Sequence, residues 1–340
     1  MNVRLFFRQF TTISAAFLAL WCVGLYVDAV LDERKNREVL IEALERAEDE
    51  FAHTLAGYVA DLGVLSKDHH VLALAAGDNA AKGDAAAVFQ NFANQKPLIA
   101  QIRYLDRFGN EVVRVDQRGG SVVRVEDGGL QNKADRYYFK QSVSLPDGGL
   151  FVSAIDLNIE HGKIEDPWRP MLRFATPVRP SGPATAGIVV LNIDVGALVD
   201  RLAQAGLGDA APFQILNHDG YWLAGVPEDQ RWGFMFGRDT TLAYTNPDVW
   251  QQVSAGVSGA FEEGGTNYVF TTLKPASQLA GTLEGASVRT FENDWIILAT
   301  ARGVSPFDVW RGFHPMVIGI GLIIIALICL KWSRSGRGHA

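Results

Sequence analysis

Ile99-Ala-Gln-Ile-Arg-Tyr-Leu-Asp-Arg-Phe-Gly-Asn-Glu-Val-Val-Arg-Val-Asp116 is the stretch on which the fold turns. Upstream, apolar residues recur every three or four positions; here the period drops to two, and Asp106 to Asn110 carries turn-forming residues. That pattern predicts two strands joined by a turn. Downstream, Val122 to Val125, Leu150 to Ile155, Leu172 to Pro177 and Gly187 to Asp194 read as four more strands, with Arg136 to Val143 and Val195 to Ala205 as helices. The sum is an antiparallel sheet flanked by helices, an α+β arrangement. The pattern then repeats at smaller scale. Pro212 to Asn217, the turn His218-Asp219-Gly220 and Tyr221 to Ala224 form a hairpin, followed by strands at Gly259 to Glu263, Tyr268 to Leu273 and Trp295 to Arg302.

Working towards the N-terminus, Ala80 to Gln95 and Val71 to Ala76 read as helices, and Leu31 to Leu65 as one long helix. Its apolar Val39, Leu40, Ala43, Leu44, Ala47, Phe51, Leu55, Val59 and Leu62 lie on one stripe between Glu, Arg and Lys. Before it, residues 10–27 hold no charge for 18 residues, and residues 312–330 hold none for 19. Each run is near the roughly 20 residues that cross a bilayer as a helix. A cleaved signal peptide competes at the first run, but Val27-Asp28-Ala29 is a poor cleavage site and the run is long for one. Arg4 and Arg8 precede the first run and Lys331, Arg334 and Arg337 follow the second, so the positive-inside rule puts both ends in the cytoplasm and exports the middle. Val304 to Arg311 leads back to the membrane.

Of the 340 residues 48% are hydrophobic and 20% charged, values of a folding chain rather than a disordered one. Net charge is −7, and setting aside the five positive charges at the two ends leaves −12 for residues 28–330. So acidic a body disfavours nucleic acid as a partner. Cys22 and Cys329, the only cysteines, both fall in the apolar runs, which leaves the body no disulfide framework or cysteine zinc site. His53, His69, His70, His161, His218 and His314 have no zinc-specifying spacing, and neither a nucleophile elbow nor a phosphate loop occurs. No catalytic residue, metal or cofactor is expected.

The order of elements, with Ala134-Asp-Arg-Tyr-Tyr-Phe-Lys-Gln141, Phe151-Val-Ser-Ala-Ile-Asp-Leu-Asn158, Arg173-Phe-Ala-Thr-Pro-Val178 and Gly187-Ile-Val-Val-Leu-Asn-Ile-Asp194, resembles the double Cache (PDC) sensor region of bacterial chemoreceptors, histidine kinases and cyclic-di-nucleotide enzymes. The resemblance spans residues 10–330 and implies two tandem PAS-like sheet domains between transmembrane helices. The divisions expected are a cytoplasmic N-terminus (1–9), transmembrane helix (10–30), long helix and helical connection (31–95), membrane-distal domain (96–205), membrane-proximal domain (206–303), second transmembrane helix (312–330) and cytoplasmic tail (331–340).

In amino-acid-binding members an Arg-x-Trp-Tyr element and a later strand-ending Asp form the distal pocket. The resemblance maps these onto Arg136, Tyr138, Phe139 and Asp194. A guanidinium fork grips a carboxylate, rings cover the ligand, and a carboxylate pairs with an ammonium. This chain departs in having Gln131 where an additional Tyr is expected, in Phe139 lacking a hydroxyl, and in an insertion-like segment from Asn158 to Pro170. Arg173, inside a strand, is a second anion contact, and Tyr104 and Trp168 complete the ligand-binding set. Other roles stand beside these: Arg136 also fits an ion pair with Asp135, Asp194 the cap of the next helix, and Tyr138 and Phe139 the core. The function expected is a membrane-anchored extracytoplasmic sensor of a small polar ligand, an amino acid or other carboxylate. It would act as a homodimer along its long helix, and because only ten residues follow Leu330, either through a separate signalling protein or as part of a split or truncated receptor. The alternatives are an anchored periplasmic hydrolase and a structural or assembly protein.

Overall fold

One uninterrupted helix, α1 (Val3–Ser66), contains both the first apolar run and the long helix that the sequence places directly after it. At 1.5 Å per residue, its 64 residues reach about 96 Å. The computed structural model describes residues 3–160, 162–206, 212–279, 282, 288–290, 294–303 and 314–335. The expected link at Val304 to Arg311, His161 and the end of the expected tail lie outside these.

After α1 come α2 (His69–Ala75) and α3 (Lys82–Gln95). Asp68 caps α2 by accepting from the backbone N–H groups of His70 and Val71 at 2.9 and 3.2 Å. The strands and helices of the larger sheet follow: β1 (Ile99–Asp106), β2 (Glu111–Arg118), β3 (Ser121–Arg124), α4 (Tyr137–Val143), β4 (Leu150–Val152), β5 (Asp156–Leu157), β6 (Ile159–Glu160), β7 (Lys163–Ile164), β8 (Pro170–Val178), β9 (Gly187–Asp194) and α5 (Gly196–Gln204). Next along the chain are β10 (Gln214–Asn217), β11 (Trp222–Ala224), α6 (Gly233–Phe236), α7 (Leu242–Thr245), α8 (Pro247–Ala255), β12 (Ser258–Glu263), β13 (Thr266–Leu273), α9 (Pro275–Leu279), β14 (Val288–Thr290) and β15 (Trp295–Arg302), before the apolar helix α10 (Pro315–Ser335).

The larger sheet runs β14-β4-β8-β9-β1-β2-β3, with β5 also on β8; β6 and β7 pair separately as a hairpin. The described pairings are antiparallel except β14 with β4, which is parallel. A three-residue strand has no detectable alternation, so the sequence reading places residues 288–290 with the smaller domain, whereas they pair with the larger sheet. On one face of this sheet α3 buries Ala85, Ala86, Phe89 and Ala93; the small alanines let the helix axis come close. On the other face Leu105, Ala175, Ile188 and Val190 meet Tyr138, Phe139, Leu145 and Phe151. At Gly187 the strands β1 and β9 approach so closely that a Cβ would strike the Leu105 carbonyl.

The smaller sheet is ordered β11-β10-β15-β13-β12, with Leu216, Trp222, Val249, Val253, Phe270, Ile296 and Leu298 in its core. The covering helices α6 to α8 are absent from the sequence reading. Two are only four residues long, while α8 carries recognisable signals in its Asn246 cap and Pro247. The C-terminal part of α1 joins this core: Phe51 meets Trp295 edge to face at 5.5 Å.

The chain divides into two compact units, Leu40–Phe261 with Tyr268–Thr300, and Met1–Val39 with Glu262–Asn267 and Ala301–Ala340. The first holds the larger sheet and most of the smaller one, the ends of β12, β13 and β15 falling in the second. Within the second, Arg37 and Glu33 bind the amide of Asn267 at 3.0 and 2.6 Å. There α10 comes so near α1 that a Cβ on Gly321 would sit 2.6 Å from the Phe17 ring, the close approach that small residues permit between apolar helices. Both helices contain a stretch long and apolar enough to cross a membrane. Leu20, Val23, Ile323 and Leu327 point outward from them.

Candidate functional site

Strand alternation sets the chemistry of the sheet face beneath α4. Along β1, Gln101, Arg103 and Leu105 share one face. Register then places Asn192 opposite both Gln101 and Arg173, Arg114 opposite Arg103, and Asp116 opposite Gln101. One half of the face is therefore apolar, and the other is a patch of polar side chains buried at five of these six positions.

Those buried charges are held by a network. The Arg103 guanidinium, 3% exposed, donates to Asn192 Oδ1 at 2.6 Å and to the Tyr138 hydroxyl at 3.1 Å. It also reaches Glu111 Oε1 at 3.4 Å. Its Nε is buried with no hydrogen-bond partner among the described residues. Asn192 passes the network on by donating to Gln101 at 2.9 Å. Arg173 donates to Asp156 Oδ1 at 2.6 Å, and both Arg103 and Arg173 stand over the Tyr138 ring, at 5.4 and 5.9 Å. Burial opposes the Arg173 charge, but Asp156 and the nearby Tyr137 and Tyr138 hydroxyls raise its pKa. Burial, with Asp156 adding, pushes the Tyr137 hydroxyl up to about 12.

A cavity of about 130 Å³ opens over this patch. Its floor is Gln101, Arg103, Arg173 and Asn192; Tyr138 and Arg136 come from α4 and its cap position; Gln131 and Lys133 come from the preceding loop. The last wall is the insertion, through Asn158, Ile159, Glu160 and Gly162. The β6–β7 hairpin is tied down by Glu160, which accepts from Gln101 at 3.2 Å and lies 3.4 Å from Arg114. Burial works against the Glu160 charge, yet Arg114 and hydrogen bonds from Gln101 and Asn158 hold its carboxyl below the usual range. Burial, reinforced by the Arg103 charge, lowers the Lys133 pKa.

Among the residues singled out from sequence, Arg136, Tyr138 and Arg173 meet at this cavity. Arg136 has no ion-pair partner among the described residues, and the alternative Asp135 pair is not made: Asp135 is fully exposed, 3.9 Å from Lys140. Four others lie elsewhere. Asp194 is one strand step past Asn192, at the sheet's end, where it pairs with Arg169 at 3.1 Å and accepts from the Gly196 N–H at the start of α5. It borders a separate cavity of about 710 Å³ together with Trp168, whose ring is 5.0 Å from Phe236. Tyr104 is carried to the opposite sheet face by alternation, and its hydroxyl donates to the Ala186 carbonyl at 3.4 Å. Phe139 sits about 100° round α4 from Tyr138 and is buried with Leu105 and Phe151.

Sequence reasoning missed Gln101, Arg103, Gln131, Lys133, Asn158, Glu160 and Asn192 as cavity residues. For Arg103 and Asn192 a signal existed: each is a polar residue interrupting an otherwise apolar strand.

A family model described as bacterial histidine kinase, sensor domain, matches residues 41–282. No curated protein matches the chain. Among solved structures, a domain of a protein assigned to the sensory box/GGDEF family of Vibrio parahaemolyticus superposes with a TM-score of 0.64 at 19% identity, covering 79% of this chain and 97% of that one. The extracellular domain of a protein assigned as the histidine kinase vpHK1S-Z8 gives 0.56 at 19% identity, over 82% and 99%. The ligand-binding domain of the Pseudomonas fluorescens chemoreceptor CtaA, in complex with L-isoleucine, gives 0.51 at 13% identity, over 80% and 94%. These likenesses show the fold, that of Cache-type sensor domains. With the model matched from within α1 to beyond α9, over more than half of the 340 residues, the chain belongs to the bacterial histidine kinase sensor-domain family.

Proposed function

We propose that the chain is a membrane-anchored extracytoplasmic sensor that binds a small carboxylate-bearing ligand in the cavity under α4, without turning it over. The observation that carries this reading is the cationic wall left unsatisfied among the described residues: Arg136 without an ion-pair partner, beside a buried Arg103 whose Nε lacks an acceptor. A buried donor without a partner costs about 1–3 kcal/mol, and a ligand oxygen would relieve it. Two apolar helices supply the anchor, and the domain at 96–205 supplies the pocket. The bound state would pass to a separate signalling protein, with the sensor as a homodimer along α1, on which Leu31, Val39 and Ile41 are exposed.

The test is thermal melting of the purified chain against a library of small carboxylates, followed by calorimetry of each hit. Charge-assisted hydrogen bonds contribute about 1.5–3 kcal/mol, so Arg136→Ala is expected to weaken binding roughly ten- to a hundred-fold while the melting temperature of the free protein holds. Equal affinity in the variant would move the ligand away from this cavity, and appearance of a reaction product would favour the anchored hydrolase.

A further inference from the structure

We infer that the ligand of this cavity is a carboxylate carrying no ammonium group: a small hydroxy or keto acid rather than an amino acid. The inference rests on the binding reading above and narrows it.

Four cations line the cavity, Arg103, Lys133, Arg136 and Arg173, against one carboxylate among the described residues, Glu160. Two of the cations already have counter-charges outside the lining, Glu111 for Arg103 and Asp156 for Arg173. The Glu160 charge is shared with Arg114, and its Oε1 accepts from Gln101 and Asn158. What remains without an ion pair among the described residues is positive: Arg136, and Lys133, whose ammonium donates to the neutral Gln131 amide at 2.7 Å. Asp194, the carboxylate that would receive an amino group, is turned to Arg169, and the strand position within the cavity is the neutral Asn192. A ligand ammonium placed here would lose its water and face like charges, whereas a hydroxyl or keto oxygen in the same place can accept from Arg103 or Asn192.

Size narrows the class further. A dry cavity of about 150 Å³ takes a benzene ring, so about 130 Å³ suits a ligand of about six non-hydrogen atoms. Lactate and alanine, or glycolate and glycine, are pairs of that size differing only in hydroxyl against ammonium.

The full chain in detergent micelles or nanodiscs, titrated with L- and D-lactate, pyruvate and glycolate and in parallel with L- and D-alanine and glycine, tests the inference. The expected result is that at least one hydroxy or keto acid binds roughly tenfold or more tightly than its amino counterpart, and that Arg136→Ala weakens this binding roughly ten- to a hundred-fold. An amino acid binding as tightly as its hydroxy acid counterpart, or more tightly, with loss in Arg136→Ala, overturns the inference and leaves the cavity as the binding site. No binding by any member of the panel, or binding that Arg136→Ala leaves unchanged, overturns both.

Discussion

Glu111 shows how much the site depends on single buried groups. Its side chain is wholly enclosed, accepts from the Gln131 backbone N–H at 3.0 Å, and serves Arg103 and Arg114 at 3.4 and 3.8 Å. Removing one member of a buried ion pair leaves an uncompensated charge, at about 3–5 kcal/mol. Glu111→Ala is therefore expected to destabilise the protein by about that amount, measured by urea unfolding, and more than Arg136→Ala does. Lys133 makes a second prediction, through pH. Its ammonium is the anion-binding form, and burial lowers its pKa from the ordinary 10.5; Arg103, Glu111, Glu160 and Tyr138 are the charged or titratable groups acting on it. As pH rises through that lowered value the cation is lost and carboxylate affinity falls, at a lower pH than an ordinary lysine would require. Calorimetry from pH 7 upward is expected to show the fall, and Lys133→Met to flatten it.

At the scale of elements, α4, the β6–β7 hairpin and the sheet each supply part of one cavity, and the hairpin is fastened to the sheet chiefly by charge. Glu165 reinforces that fastening, accepting from Asn158 at 2.8 Å and pairing with Arg118 at 2.8 Å. Helix α1 is the other element with a testable role. Leu40, Ala43, Leu44 and Ala47 are buried while Val39 and Ile41 are exposed, so its apolar residues serve more than one side. Single cysteines along residues 33–50, in a variant lacking Cys22 and Cys329, are expected to crosslink between subunits with a period near 3.6. Yields should change on adding the ligand, as helix shifts of an ångström or two at interfaces would cause. Absence of such a period would remove the α1 dimer.

For the molecule as a whole, the proposed topology joins two apolar helices to an acidic body. Outward-facing Leu20, Val23, Ile323 and Leu327 suit lipid better than water, since shielding each large apolar side chain contributes about 1.5–3 kcal/mol. An export-dependent reporter enzyme is expected to be active when fused after Pro212 and inactive after Ala340. Activity at Ala340 would exclude a chain that crosses twice with both ends inside.

Local pattern alone was enough for the longer elements: the period of two in β1 and β2, the period near 3.6 along α1, and the uncharged runs in α1 and α10 are each written in neighbouring residues, whereas the short α6 to α8 and β14 are not. The resemblance, resting on the order of those elements, led to the Cache fold. The resemblance and the strand pattern together placed Arg136, Tyr138 and Arg173 among the candidates. They could not separate Asn192 from Asp194, because both point to the same face of β9 and only the end of the sheet, with Arg169 waiting there, takes Asp194 out of the cavity. Nor could they find Arg103, whose isolation among apolar residues becomes meaningful once Asn192, Tyr138 and Glu111 surround it from three other segments. The pairing of β14 with β4, residues nearly 140 positions apart, is likewise decided by packing. Periodicity is a property of adjacent residues, whereas a cavity's charge balance is set by strand register and by which loops fold over it, and those are fixed only when the whole chain is packed.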